Sequence, residues 1–185
     1  MKNIPTLTVP FILVTLAFSD SAFGQWMVRN AIDEIRREES QFFAYSPEAR
    51  VVKGLKYPYS NYTTSRLIFR CDKEGEFAAM MFASTLPGAP HFPFIKGIYD
   101  GGKYRTKDVI SRWDDEIIHL AVSQDSKISI GIQFDSNDVI DMILKSNRVV
   151  IEIDFGEFGV TQRTYSLKGS SSAIAQARAS CAAAF

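Results

Sequence analysis

The chain has no excess of charge of either sign: 21 Lys and Arg are matched by 21 Asp and Glu. A balanced chain lacks the broad positive field with which nucleic-acid binders meet phosphates, so no nucleic acid is expected as a partner. Cysteine and histidine are scarce, with 2 of each in 185 residues. That excludes a disulfide-dense scaffold. The pairs Cys71, Cys181 and His91, His119 are also too widely spaced for a zinc site, so no metal or other cofactor is expected. Glycine and proline are unremarkable in number, and 46% of residues are hydrophobic. A collagen-like or disordered chain is thereby excluded. No internal repeat and no low-complexity linker interrupts the sequence. At this length one domain is the default.

Long hydrophobic runs are missing except at the start. Lys2 is followed by an uncharged apolar run over residues 4–18, then by Ser19, Asp20 and Ser21, then by Ala22-Phe23-Gly24. Basic start, apolar middle and small residues at the end are the pattern of a secretory signal peptide over residues 1–24, cut before Gln25. A membrane anchor is the competing reading, but the run is short and holds Pro5 and Pro10. No cysteine follows the cut to carry a lipid. The expectation is one exported β-rich domain over residues 25–185, with no membrane span after cleavage. Its location would be the periplasm, with release from the cell as the alternative.

Export changes what two cysteines mean. In an oxidising compartment they read as a Cys71–Cys181 disulfide, with free thiols or an intermolecular bridge as the alternatives. Closing so long a loop is worth up to about 4–5 kcal/mol in the chain-entropy model.

Strand signals dominate. Residues 26–32, 40–45, 66–71 and 76–84 are strand-like, the last two as a hairpin across Asp72-Lys73-Glu74-Gly75. Residues 31–40 are charge-rich and fit either a helical turn or a long hairpin loop. Residues 117–122, 127–134 and 149–155 are β-rich, and the last two alternate apolar and polar with period two. Residues 135–146 have a helical spacing of Val139, Ile140, Ile143 and Leu144, with Ser136 as a cap. A last strand over 159–167 and a small-residue helix over 170–184, capped by serine, complete the chain. About seven or eight short strands and two helices without βαβ alternation predict a mainly β fold. The expected form is an antiparallel β-sandwich or open barrel with two short helices, one of them C-terminal.

Catalytic patterns are absent. There is no G-x-S-x-G and no phosphate loop, and Asp154-Phe155-Gly156 stands without the companions of a kinase site. His119 sits in an apolar strand and would need Asp114, Asp115 or Glu116 within hydrogen-bond reach to act as a base. Adjacent carboxylates on one strand point to opposite faces, so residues 114–116 make a poor cation site. Asp135-Ser136-Asn137-Asp138 starts like a calcium loop but lacks its glycine and terminal glutamate. The chain is therefore expected not to be an enzyme. Asn61-Tyr62-Thr63 is formally a glycosylation acceptor. The aromatic cluster Tyr57, Tyr59 and Tyr62, together with His91 and Trp113, is the candidate binding surface, although aromatics packed over a sheet end would look the same.

Several features taken together form a resemblance. The chain continues after its leader with Trp26, and a strand ends Leu67-Ile68-Phe69-Arg70-Cys71. Tyr104, Arg105 and Asp108 precede Trp113, and Ser123 and Asp125 follow. The end reads Tyr165-Ser166-Leu167-Lys168-Gly169, then Ala173-Ile174, then Cys181. This resembles the TagO-like (VasI-like) periplasmic proteins associated with type VI secretion, over residues 26–181. The chain departs from that pattern at Phe185, which falls further beyond Cys181 than is usual, and in residues 26–40. The resemblance implies a periplasmic accessory or binding module that touches an envelope protein or a cell-wall component, and it carries over no catalytic residue. A secreted inhibitor or effector is the alternative, working through residues 86–93 and the Gly101-Gly102 turn on a β scaffold.

Overall fold

The computed structural model describes residues 25–33, 38–60, 63–84, 93, 95–100, 103–104, 106–124, 131–136 and 138–185. The leader read over residues 1–24 lies outside them. In chain order the elements are β1 (Met27–Asp33), β2 (Glu38–Tyr45), β3 (Arg50–Lys53), β4 (Thr63–Asp72), β5 (Gly75–Ser84), β6 (Tyr99–Asp100), β7 (Lys103–Tyr104), β8 (Lys107–Trp113), β9 (Glu116–Ser123), β10 (Gly131–Phe134), α1 (Asp138–Lys145), β11 (Arg148–Asp154), β12 (Val160–Ser166) and α2 (Ser170–Ala184). The expected mainly antiparallel β fold with two helices, the second C-terminal, is what forms. Among the described residues its strands make a 10-stranded sheet in the order β1-β2-β4-β5-β10-β9-β8-β11-β12-β3, open rather than closed into a barrel. β6 and β7 form a separate ribbon.

Period two builds the core. In β4, Thr63, Ser65, Leu67, Phe69 and Cys71 are buried and alternate with half-exposed neighbours. Val149, Ile151 and Ile153 of β11 do the same. The β4–β5 hairpin runs in unbroken register from Thr63↔Ser84 to Asp72↔Gly75. Gly75 turns it at φ 131, a conformation that a side chain would strain. Residues 31–33 and 38–40 pair as strands of a hairpin, with the β1–β2 ladder extending to Asp33↔Glu38, and residues 34–37 lie outside the described residues. Of the strand expected over 127–134, residues 131–134 are described as β10 and the rest lie outside the described residues. β3 and β8 were not foreseen as strands. β3 is only 4 residues long and solvent-exposed throughout, so it has no alternation to detect.

α1 follows its spacing. Val139, Ile140 and Ile143 are buried, and Ser136 Oγ accepts from Asp138 N at 3.1 Å, as a cap should. The serine cap expected for α2 is not made. Gly169 holds the cap position in a left-handed conformation, φ 87. The Ser170 hydroxyl instead donates to the Ile143 carbonyl at 2.9 Å and ties α2 to the end of α1. Ala173, Ile174, Ala177 and Cys181 lie on the buried stripe of α2, which packs on β1, β2 and β4.

Cys71 and Cys181 are bonded, 110 residues apart in sequence and 6.1 Å apart at Cα. The bridge joins the end of β4 to the last turns of α2. Beside it Arg178 donates to both carboxylate oxygens of Glu76 at 2.7 Å. Among the described residues no helix is long and apolar enough to cross a membrane.

Candidate functional site

The two edges of the open sheet, β1 and β3, are built differently. β3 follows β2 through residues 46–49, and that link first runs along β4. Ser46 N donates to Leu67 O at 2.9 Å and Ala49 N to Ser65 O at 2.8 Å. Carrying this register two residues further would set Val51 opposite Thr63. The ladder stops there. The Thr63 carbonyl accepts from Arg163 Nη1 at 3.0 Å, and the residue opposite Val51 on β12 is Arg163 itself. A side chain thus bonds the carbonyl at which a closing ladder would continue, and the sheet is open along this seam.

All three inward side chains of β12 are polar: Thr161 holds the neighbouring β3, and Arg163 and Tyr165 reach across to β4. Thr161 Oγ1 donates to Lys53 O at 2.8 Å. Arg163 adds a bond from Nη2 to Thr63 Oγ1 and lies with its Cζ 5.2 Å from the Phe82 ring centroid. Tyr165 OH lies 3.0 Å from Ser65 Oγ. Arg163 is 1% exposed, its Nε has no partner, and among the described residues no carboxylate forms an ion pair with it. Burial lowers its pKa, while Tyr165 and Glu48 act the other way. Burial also pushes the Tyr165 phenol up to about 12, against the pull of Ser65 and Arg163. A phenol acting as a base near neutral pH needs the opposite shift. No substrate reaches a group that is 0% exposed. The seam cluster is a fastening rather than a reaction centre.

The surface over that fastening is open. Arg50, Val51, Val52 and Lys53 are all exposed, the valines by 44% and 53%. The β12–β3 register shifts between Gln162 and Arg163, so Val52 has no residue opposite it. The chain then turns through Gly54, whose missing Cβ would sit 3.3 Å from the Ser60 carbonyl. Tyr57, 86% exposed, follows within a few residues of the edge strand.

The residues singled out in the sequence separate here. Tyr57 is free on the surface. Tyr59 is 4% exposed and packs edge-to-face on Phe158 at 5.1 Å. Trp113 is 3% exposed, with Nε1 donating to Ser111 Oγ at 2.9 Å. Tyr59 and Trp113 are therefore core residues, because each ring is worth more against apolar neighbours than in water. Tyr62 and His91 lie outside the described residues, as do Asn61, Gly101, Gly102, Asp125 and most of the loop over 86–93. His119 faces solvent opposite Ile110 on the outer side of the sheet. Asp114 turns the β8–β9 hairpin at φ 48 and accepts from the Asn147 and Arg148 amides at 3.1 and 3.2 Å. Its carboxylate is committed to a turn. Asp154 likewise accepts from Gly156 N at 2.8 Å. Among the described residues no group of three His, Cys, Asp or Glu is placed to hold a metal.

An open surface pocket of 370 Å³ lies by the β11–β12 turn, lined in part by Ile95, Lys96, Phe155, Glu157 and Phe158. Lys96 is drawn off towards Asp154 at 3.7 Å, so the pocket offers few convergent polar groups.

Arg163 is the residue that sequence reading missed. A Thr-x-Arg-x-Tyr run in a strand carries the clue, since period two forces Arg163 inward wherever Tyr165 is inward. No family model, curated protein or solved structure matches the chain.

Proposed function

We propose that this chain is an exported, non-catalytic binding module that contacts an envelope protein or a cell-wall component. The observation that carries the reading is the exposed β3 edge, followed within a few residues by the exposed Tyr57, on a scaffold closed by the Cys71–Cys181 bond. Rigid scaffolds with exposed aliphatic and aromatic side chains at one place are how binding modules recognise partners. A structural disulfide belongs to an oxidising compartment, which agrees with a leader over residues 1–24. The resemblance to TagO-like proteins narrows the proposal to a periplasmic accessory of type VI secretion.

A photo-reactive side chain placed at Tyr57 in the full chain, expressed in its host, tests the reading. Crosslinks to one envelope component are expected from Tyr57 and not from Lys73, at the exposed tip of the β4–β5 hairpin. Equal crosslinking from both positions would overturn the surface assignment. Peptidoglycan hydrolysis by the purified protein, abolished by His119→Ala, would overturn the non-catalytic one. Fractionation checks the compartment: protein found only in the medium would favour the inhibitor or effector alternative.

A further inference from the structure

We infer that β3 is a capture strand for an extended acidic segment of a partner protein, which adds to the sheet edge as a further antiparallel strand. This rests on the binding-module reading above and specifies its partner. Among the described residues β3 is an outermost strand: β12 pairs one side, and no described strand pairs the other. Backbone groups on the open side of an edge strand are a template for another strand. β1 is also an edge, but α2 packs against it.

Charge selects the occupant. Arg50, Lys53 and Lys56 are exposed within a few residues of one another, and Glu48 is the single carboxylate in that stretch. Among the described residues none of the three cations is engaged in an ion pair. A second copy of the chain is a poor occupant. Antiparallel self-pairing centred on Val51 and Val52 would set Arg50 against Lys53 twice, and like charges directly opposite are destabilising. The same spacing suits a strand with two apolar residues flanked by carboxylates, which would meet Val51 and Val52 with its centre and Arg50 and Lys53 with its ends. The edge is thus closed to its own kind and open to an acidic strand.

The test uses the purified chain and two labelled probe peptides, one with a valine pair flanked by glutamates and one with lysines in place of the glutamates. At low ionic strength the acidic peptide is expected to bind at least about tenfold more tightly, from two favourable cross-strand pairs against two unfavourable ones. Double reversal, Arg50→Glu with Lys53→Glu, should invert that preference, and its exposed positions leave the fold intact by circular dichroism. Amide hydrogen exchange in residues 50–53 should slow on binding, which loose charge attraction would not produce. Equal binding of both peptides, binding of neither, or binding without protection of residues 50–53 would each overturn the inference. The Tyr57 crosslink separates the two levels. If it persists unchanged in the double-reversal variant, the module reading survives and the capture strand does not.

Discussion

The two ends of β4 are held by opposite kinds of chemistry. At its last turn Cys71 is covalently joined to α2, with Arg178 and Glu76 clasped alongside. At its first residues Thr63 accepts from Arg163 and Ser65 shares a hydrogen bond with Tyr165, all four buried. The covalent end needs no particular polarity around it. The polar end depends on every partner being in place, because a buried group left unpaired costs far more than a made hydrogen bond returns. The difference shows why the sheet stays open. A seam fastened by side chains replaces the backbone ladder that would close it, and leaves β3 as a usable edge.

The largest effect is expected at the covalent end. Replacing both Cys71 and Cys181 by serine should lower unfolding stability by about 4–5 kcal/mol for so long a loop. Urea denaturation with and without reductant measures this. An identical midpoint in both conditions would erase the contrast between the two ends.

At the polar end Arg163→Ala should cost about 3 kcal/mol, since it strips the Thr63 carbonyl of its donor and leaves a cavity. Arg163→Met keeps most of the volume and removes the buried charge, so it should cost less. A methionine variant no more stable than the alanine one would mean that the lost hydrogen bonds, and not the volume, set the cost.

Tyr165→Phe should cost about 1 kcal/mol near neutral pH through the lost bond to Ser65. Its pH signature is sharper. The folded phenol holds its proton up to about 12, above the ordinary value of about 10. Its contribution to stability is full below the ordinary value and is lost as pH rises through the folded one. The parent chain should therefore weaken between about pH 10 and 12, and the phenylalanine variant should show less of that limb. Parallel limbs in the two proteins would remove Tyr165 from the account.

The smallest effect is expected from Arg178→Gln, beside the disulfide. The Arg178–Glu76 pair is partly exposed, with side-chain exposures of 40% and 34%. Such pairs are worth about 0.2–1 kcal/mol and fade in salt. A loss that persists in high salt would mean that Arg178 acts through packing on Phe69, whose ring centroid lies 5.6 Å from its guanidinium carbon.

Local pattern made much of this legible. Alternation in residues 149–155 and the helical spacing of Val139, Ile140 and Ile143 identify their elements because burial follows a short period. Gly75 marks its turn for the same local reason. The candidate surface was half legible. Tyr57 and Tyr59 are equivalent as letters, and only the neighbour Phe158 decides that one is core and the other surface. β3 was invisible because an exposed edge strand of 4 residues has no buried face to set a period.

By itself the sequence determined composition class, the strand-rich character, the helix spacings and a single possible intramolecular disulfide pairing. Each of these depends on residue type or on neighbours within a few positions. Tertiary structure alone decided that β3 docks on β12, that Arg163 meets Thr63 and, among the described residues, no carboxylate, and that the sheet stops short of closure. Those outcomes depend on groups about a hundred residues apart, 100 for both Thr63–Arg163 and Ser65–Tyr165. Long-range pairing is set by the total fit of the core, which no short stretch of chain encodes.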